Sequence, residues 1–200
     1  MARYKGPTNK LYRNYRVKDL SNRADISSIR QSASGQHGAM RKKLSDYAIH
    51  LKEKQKIRYT YLVSEKQFAK YYHKAAAKKG VTGTILLQLL ESRLDNILFR
   101  AGFAATRKQS RQIVNHGHVL VNGKRVDIAS YLVKASDEIA IKASSIEFIK
   151  SVMAPLDIAI TAAWMTIDKE NLKIVFDRIP ERDELDSEFK EHLVIEYYSK

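Results

Sequence analysis

Cysteine is missing from all 200 residues, so disulfides and thiolate metal sites are excluded and no redox compartment can be read. Long apolar runs are missing too. None approaches the roughly 18 residues that a membrane span requires. The richest stretch, Val152 to Ile167, is interrupted by Pro155 and Asp157. The opening Met1-Ala2-Arg3-Tyr4-Lys5-Gly6 lacks the apolar centre of a secretory signal. These absences predict a soluble chain of the cytosol or of the equivalent organelle compartment. No Gly-x-Ser-x-Gly elbow and no phosphate-cradling P-loop occurs, so neither hydrolase nor nucleotidase chemistry is indicated.

Acidic residues are scarce in one part of the chain only. Residues 1–145 carry 29 Lys and Arg against 10 Asp and Glu, whereas residues 146–200 carry 7 against 12. The formal net charge is +14 and the pI is near 9.8. An excess of this size, confined to one region, implies a polyanionic partner. A hydrophobic content of 44% is enough for a core and argues against a disordered chain.

Residues 1–43 read as a basic arm, with 11 Lys and Arg against Asp19 and Asp25. Apolar residues there are sparse, so the arm is expected to be largely disordered alone and to order against phosphates. Helical signals begin at Leu44. Ser45 can cap a helix through Tyr47, Leu51 and Arg58. Ser64 and Gln67 have capping-box spacing ahead of Phe68, Tyr71, Tyr72 and Ala75. From Thr82 a broad apolar face through Leu86, Leu90, Leu94, Ile97 and Ala101 predicts one helix ending at Gly102. Thr106 and Gln109 open a further helix that stops at Gly117. The period then becomes extended. Val119-Leu120-Val121, Asn122-Gly123 and Lys124-Arg125-Val126 predict a hairpin. Tyr131-Leu132-Val133, Glu138–Ile141, Trp164–Ile167 and Lys173–Phe176 predict short strands, and Leu193–Tyr198 is of undecided type. The order gives an α+β chain.

The richest constellation runs from Ser92 to Val126. Arg93 and Arg100 sit on one predicted helix. Thr106, Arg107, Lys108, Arg111 and Gln112 open the next, and His116, His118, Asn122, Lys124 and Arg125 follow in and beside the hairpin. A helix start leaves N–H groups unpaired, carries positive partial charge and attracts phosphate. Arg107 and Arg111 are four apart and should share a face that a polyanion would cover. Asp95 reads better as paired with Arg93 or another neighbouring base, orienting a helix end, than as a catalytic carboxylate. His116 and His118, two apart on a helix, would not share a face and lack further ligands, so neither a metal nor a cofactor is expected. Tyr47, Tyr59 and Tyr61 could stack on bases, whereas Phe68, Tyr71 and Tyr72 suit a core. The acidic stretch Asp177 to Glu191 reads as solvated surface.

This block resembles a small RNA-binding module through Arg93-Leu94-Asp95-Asn96, Thr106-Arg107, Arg111-Gln112, His116-Gly117-His118 and Val121-Asn122-Gly123-Lys124-Arg125-Val126. The module is shared with pseudouridine synthases, a tyrosyl-tRNA synthetase and a heat-shock protein. The flanks extend the likeness. They include Arg3-Tyr4 with Gly6-Pro7, Gly35-Gln36-His37-Gly38, Arg41-Lys42-Lys43-Leu44-Ser45-Asp46-Tyr47 and Glu53-Lys54-Gln55-Lys56. Glu65-Lys66-Gln67-Phe68, Lys79-Gly80, Thr82-Gly83 and Leu86–Glu91 follow, then Trp164 with Asp168, Pro180-Glu181-Arg182 and Glu196-Tyr197-Tyr198-Ser199-Lys200. Collinear over nearly the whole chain, the pattern is similar to the family of the fourth protein of the small ribosomal subunit.

The resemblance implies a non-enzymatic, primary assembly protein that binds small-subunit ribosomal RNA. It would lie near the mRNA entry tunnel beside small-subunit proteins three and five and influence decoding accuracy, with no membrane partner and no homo-oligomer. It implies a basic arm at 1–43 and a helical domain at 44–90 to which 181–200 return. An α/β domain at 91–180 follows, with the module at 92–150 and a small antiparallel sheet. Expected RNA contacts are Arg3, Tyr4, Lys5, Gly35, Gln36, His37, Gly38, Arg41, Lys42, Lys43, Lys54 and Arg58 in addition to the module residues. Arg41, Lys42 and Lys43 would be candidates for RNA contact near that tunnel, and Glu196, Tyr197, Tyr198, Ser199 and Lys200 would meet a protein neighbour. Two departures stand out. The four amino-terminal cysteines of many members are absent, and Ser34 replaces a usual proline, which should loosen the turn at Gly35. An RNA-modifying enzyme and a free stress-related RNA-binding factor are the competing functions.

Overall fold

A computed structural model describes residues 4, 6–17, 32–40, 43–153 and 162–199. The chain forms two compact units, Met1–Leu86 with Asp186–Lys200, and Leu87–Leu185.

The first unit is helical. Its helices are α1 (Thr8–Tyr15), α2 (Asp46–Thr60), α3 (Glu65–Ala76), the opening of α4 (Thr82–Glu91) and α8 (Glu191–Ser199). Ser45 caps α2 as its sequence predicts, its hydroxyl accepting from Ala48 N at 3.3 Å. Ser64 begins α3 without a side-chain cap, so the expected capping box does not form. Helix α2 buries His50, Lys54, Ile57 and Thr60, a stripe at helical spacing. Helix α8 packs on α2, and the chain entering it is tied there by Lys56 Nζ donating to Glu188 O at 2.9 Å and Lys190 N donating to Glu53 Oε1 at 3.0 Å. The undecided Leu193–Tyr198 is therefore helical: Val194 is buried while Glu196 and Ser199 face solvent.

The arm departs from expectation. Thr8–Tyr15 is a helix, and Leu11 and Val17 pack with Leu62 beneath Tyr4, Tyr15 and Tyr59. Few apolar residues suffice because tyrosines supply much of the buried surface. The turn at Ser34 is also not loose. Ser34 N and Oγ both bond Asn14 Oδ1, at 2.9 and 2.8 Å, and Arg13 donates to the carbonyls of Ser32 and Ala33.

The second unit contains the close of α4, then α5 (Leu94–Arg100), α6 (Arg107–Asn115) and α7 (Ile146–Met153) with a five-stranded antiparallel sheet. Its strands are β1 (Val119–Val121), β2 (Lys124–Arg125), β3 (Asp137–Ile141), β4 (Met165–Asp168) and β5 (Lys173–Phe176), in the order β2-β1-β3-β5-β4. The hairpin pairs Leu120 with Arg125 and Val121 with Lys124. Asn122 and Gly123 have φ of 49° and 76°, the two positive values that a two-residue hairpin turn requires. Val119, Val121, Ile139, Ile141, Ile174 and Phe176 alternate inward and are buried.

Two sequence expectations fail here. The helix predicted from Thr82 to Ala101 is two helices, because Arg93 is extended (φ −73°, ψ 136°) and bridges Leu132. Leu94 N and Asp95 N donate to Tyr131 O and Ala129 O, and Val133 N donates to Ser92 O. This pairing diverts the backbone groups that a continuous helix would use, and it also reduces the expected strand at Tyr131–Val133 to one bridge. Helix α7 was not anticipated, although Ile146, Ile149 and Val152 have its spacing. Among the described residues no helix is long and apolar enough to cross a membrane.

Candidate nucleic-acid interface

Charge on the second unit divides into an inner and an outer set. The inner set is a buried polar network joining the close of α4 to α5 and α6. Arg93 is 2% exposed; its Nε and Nη2 donate to the two carboxylate oxygens of Asp95 at 3.0 and 2.6 Å. Glu91, also buried, accepts from Arg100 Nη2 at 2.8 Å and from Asn96 Nδ2 at 2.6 Å. Asn96 Oδ1 in turn accepts from Arg107 Nε at 2.8 Å. Arg107 is 5% exposed and its guanidinium lies 4.3 Å from the Phe99 ring centre. Ser110 Oγ closes the arrangement by donating to Asp95 O. Buried charges persist when paired and hydrogen-bonded, and Arg93 and Arg100 meet that condition through the Asp95 and Glu91 carboxylates.

Arg93 and Arg107, both buried, therefore brace the helices from inside rather than reach RNA as expected, while Arg100 is half-buried and bound to Glu91. Arg107 and Arg111 do not share an outward face. Helix α6 buries Arg107, Ser110, Ile113 and Val114, leaves Lys108 and Arg111 half-buried and exposes Gln112. The reading of Asp95 as the partner of Arg93 holds.

The outer set is what a polyanion can reach. Thr106 Oγ1 accepts from Gln109 N at 3.2 Å, and Gln109 Oε1 accepts from Ala105 N at 2.9 Å, so the start of α6 is fixed by reciprocal side-chain bonds. Lys108 stands in that first turn. Burial holds its ammonium below the ordinary lysine value, and a phosphate beside it would offset that penalty. Lys124 and Arg125 are exposed on β2. Gly117, at φ 74°, lets the Arg125 guanidinium lie against the backbone where α6 ends; a Cβ there would collide with it. The same turn brings the His116 and His118 rings to 6.0 Å, nearer than residues two apart on a helix would come. His118 Nδ1 lies 2.8 Å from Ser145 Oγ. Among the described residues no cluster suited to a metal ion exists. Asn122 is exposed at the turn, where its amide donates to Asp137 Oδ1 at 2.8 Å and accepts from Glu138 N at 2.9 Å, which fixes the hairpin.

In the first unit, Lys54 is only 3% exposed, bonded to Glu65 Oε1 at 2.6 Å and set 4.4 Å from the Tyr197 ring centre. It too is an internal cation rather than an RNA contact. Arg58 is partly buried, stacked 4.0 Å from the Tyr59 ring centre and bonded to Gln55. Tyr4 meets Tyr59 edge-on. Tyr61 is buried beside Phe189, and Tyr72 stacks on Tyr198 at 4.6 Å. Gly35, Gln36, His37 and Lys43 are exposed, with Gly38 half-buried and its N–H bonded to Gly35 O. Tyr47 is exposed against Tyr197. Glu196 Oε2 lies 2.7 Å from His50 Nε2, Tyr198 donates to Glu65 Oε1 at 3.0 Å, and Ser199 donates to Ile195 O. Burial, with Glu65 beside it, raises the Tyr198 phenol above its usual value. Arg3, Lys5, Arg41, Lys42 and Lys200 lie outside the described residues. Sequence reasoning passed over Phe148, exposed on α7 near His118; an aromatic on the outward side of an amphipathic helix was the available signal.

Residues 3–91 match the ribosomal protein S4/S9 N-terminal domain, and residues 92–139 match the S4 domain. The chain is 52% identical over 174 residues to small ribosomal subunit protein uS4 of Mesomycoplasma hyopneumoniae (strain 7448), covering 86% of this chain and 85% of that protein. It is 46% identical over 202 residues to uS4 of Mycoplasmopsis synoviae (strain 53), with both covered completely. Against uS4A of Symbiobacterium thermophilum it is 46% identical over 209 residues, again with complete coverage of both.

Proposed function

The chain belongs to the uS4 family of small ribosomal subunit proteins, and from that premise we propose that it is a structural, non-catalytic constituent of the small subunit that holds folded ribosomal RNA. The observation that carries the contact surface is the outward set on the second unit. Lys108 and Arg111 stand half-buried on α6, and Lys124 and Arg125 are exposed on the hairpin that follows it. Phosphate contacts of this kind position a protein on folded RNA by shape and charge. The exposed turn at Gly35–His37 and Lys43 are further candidates in the first unit.

The finer assignments rest on the family likeness. They are early binding during subunit assembly, a place near the mRNA entry tunnel beside small-subunit proteins three and five, an effect on accuracy, and residence on cytoplasmic or organellar ribosomes. Exposed Tyr47, half-buried Tyr197 and exposed Glu196 support a protein neighbour at the carboxyl-terminal helix, since an aromatic and acidic surface suits protein better than RNA.

Binding to a small-subunit ribosomal RNA transcript tests the reading. If about 6–10 phosphates are neutralised, affinity falls by roughly three to five decades between 50 and 200 mM salt. Replacing Lys108, Arg111 and Lys124 together by alanine should reduce the log–log salt slope by about 2–3 with the circular dichroism spectrum unchanged. A flat salt response, or an unaltered slope in the triple variant, would overturn it.

A further inference from the structure

Beside the basic face of α6 lies a cleft of about 100 Å³ that the phosphate contacts do not use. Gln109, Gln112, Ile113 and His116 line one side, a stripe at i, i+3, i+4 and i+7 along and just beyond α6; His118 and Phe148 form the other. Its parts differ in chemistry. Ile113 is buried and forms an aliphatic floor. Phe148 is 49% exposed, an unusual position for a phenylalanine, and its ring centre lies 5.7 Å from that of His118. The bond between His118 Nδ1 and Ser145 Oγ fixes the imidazole plane, and Ser145 is itself buried. Gln109 is held by its oxygen on Ala105 N, which leaves its amide nitrogen directed away from that bond. Gln112 adds an exposed amide with one donor side and one acceptor side.

Among the described residues no full charge lines the cleft. Cations stand at its borders instead: Arg111 precedes Gln112, and Lys142, exposed, has its N–H on His118 O at 2.9 Å. A phosphate would therefore sit at the rim rather than inside. An aliphatic floor, aromatic walls and amide edges flanked by cations match a flat heteroaromatic ring attached to a phosphodiester. Deepening the reading above, and resting on it, we propose that this cleft takes one unstacked nucleobase of the bound RNA. The base stacks against Phe148 and His118, with its edge hydrogen-bonded by Gln112 and Gln109.

The test uses the full chain and the small-subunit ribosomal RNA transcript. Phe148→Ala should weaken binding by about 5- to 150-fold, the range for losing one stacked base. Its salt slope should stay as in the unaltered protein, because no phosphate contact is lost. Phe148→Tyr keeps the ring and should bind within about twofold. Dimethyl sulfate footprinting should show a base protected by the unaltered protein that regains reactivity with Phe148→Ala and with Gln112→Ala. If both alanine variants bind like the unaltered protein and no base changes reactivity, the cleft does not hold a base, while the phosphate face stands. If the unaltered protein shows no salt-dependent binding at all, the parent reading fails and this one with it.

Discussion

Replacing Asp95 by alanine tests whether the arginines of this unit are braces or RNA contacts. The Asp95 carboxylate accepts two hydrogen bonds from Arg93, at 3.0 and 2.6 Å, and both side chains are buried. Removing it strips a desolvated guanidinium of its counter-charge, a change that costs about 3–5 kcal/mol in comparable buried pairs. Total stability for a domain is about 5–15 kcal/mol, so the loss is a large share. At about 2–4 °C per kcal/mol for a chain of this size, the melting temperature should fall by roughly 6–20 °C. Removing both charges, Arg93→Met with Asp95→Leu, should recover most of this, because a well-packed apolar pair often equals or exceeds a buried ion pair. Denaturant unfolding followed by far-ultraviolet circular dichroism supplies the energies, and binding to the ribosomal RNA transcript supplies the second readout. The double variant should bind as tightly as the unaltered protein. The reasoning is refuted if Asp95→Ala loses less than about 1 kcal/mol, or if the double variant folds stably and binds RNA much more weakly. The latter would make Arg93 a contact after all.

Gly83→Ala should run against the usual gain of about 1 kcal/mol for this exchange within a helix. A Cβ on Gly83 would stand 2.5 Å from Glu191 Cγ, 3.1 Å from Glu191 Cβ and 3.3 Å from Ile195 Cδ1. Overpacking of that kind costs about 1–3 kcal/mol, and urea unfolding should register a net loss; a net gain would show that α8 yields freely. The Glu184 carboxyl, bonded to Arg178 and to Glu181 N, is held down to about 2 from an ordinary value of 4.5. Because the folded value is the depressed one, this contact contributes stability above pH 4.5 and loses it as pH falls toward 2. A carbon-detected NMR titration should place the Glu184 midpoint near 2, and Arg178→Ala should return it most of the way toward 4.5; a midpoint near 4.5 in the unaltered protein would contradict the pairing.

Local signals carried much of the fold. Asn122-Gly123 specified its turn because few dipeptides accept two positive φ values, and Ser45 and Thr106 marked helix starts because a hydroxyl there satisfies an otherwise unpaired N–H. The break at Arg93 was hidden, since the apolar spacing from Ile85 to Ala101 is uninterrupted and the break is made by backbone pairing with Ala129, Tyr131 and Leu132, distant in sequence. Leu193–Tyr198 offered both periods at once, and only packing on α2 decided for helix. The site was legible as a region but not as a surface. A guanidinium looks the same in sequence whether it meets a phosphate or a buried carboxylate, and the partners of Arg100 and Arg107, Glu91 and Asn96, become visible only in the folded unit. The helix at Thr8–Tyr15 was missed for the opposite reason: its burial depends on tyrosines that a count of aliphatic residues overlooks.

The tip of the hairpin is held before any ligand arrives. Asn122 is fastened to Asp137 and Glu138 through its amide and its own backbone N–H, and Asp137 also receives Lys134 N at 2.8 Å. Lys124 therefore projects from a rigid support, and little chain motion remains to be frozen when a phosphate docks. Association at this tip should resemble two preformed shapes meeting, with the ordering on complex formation falling mainly on the nucleic acid.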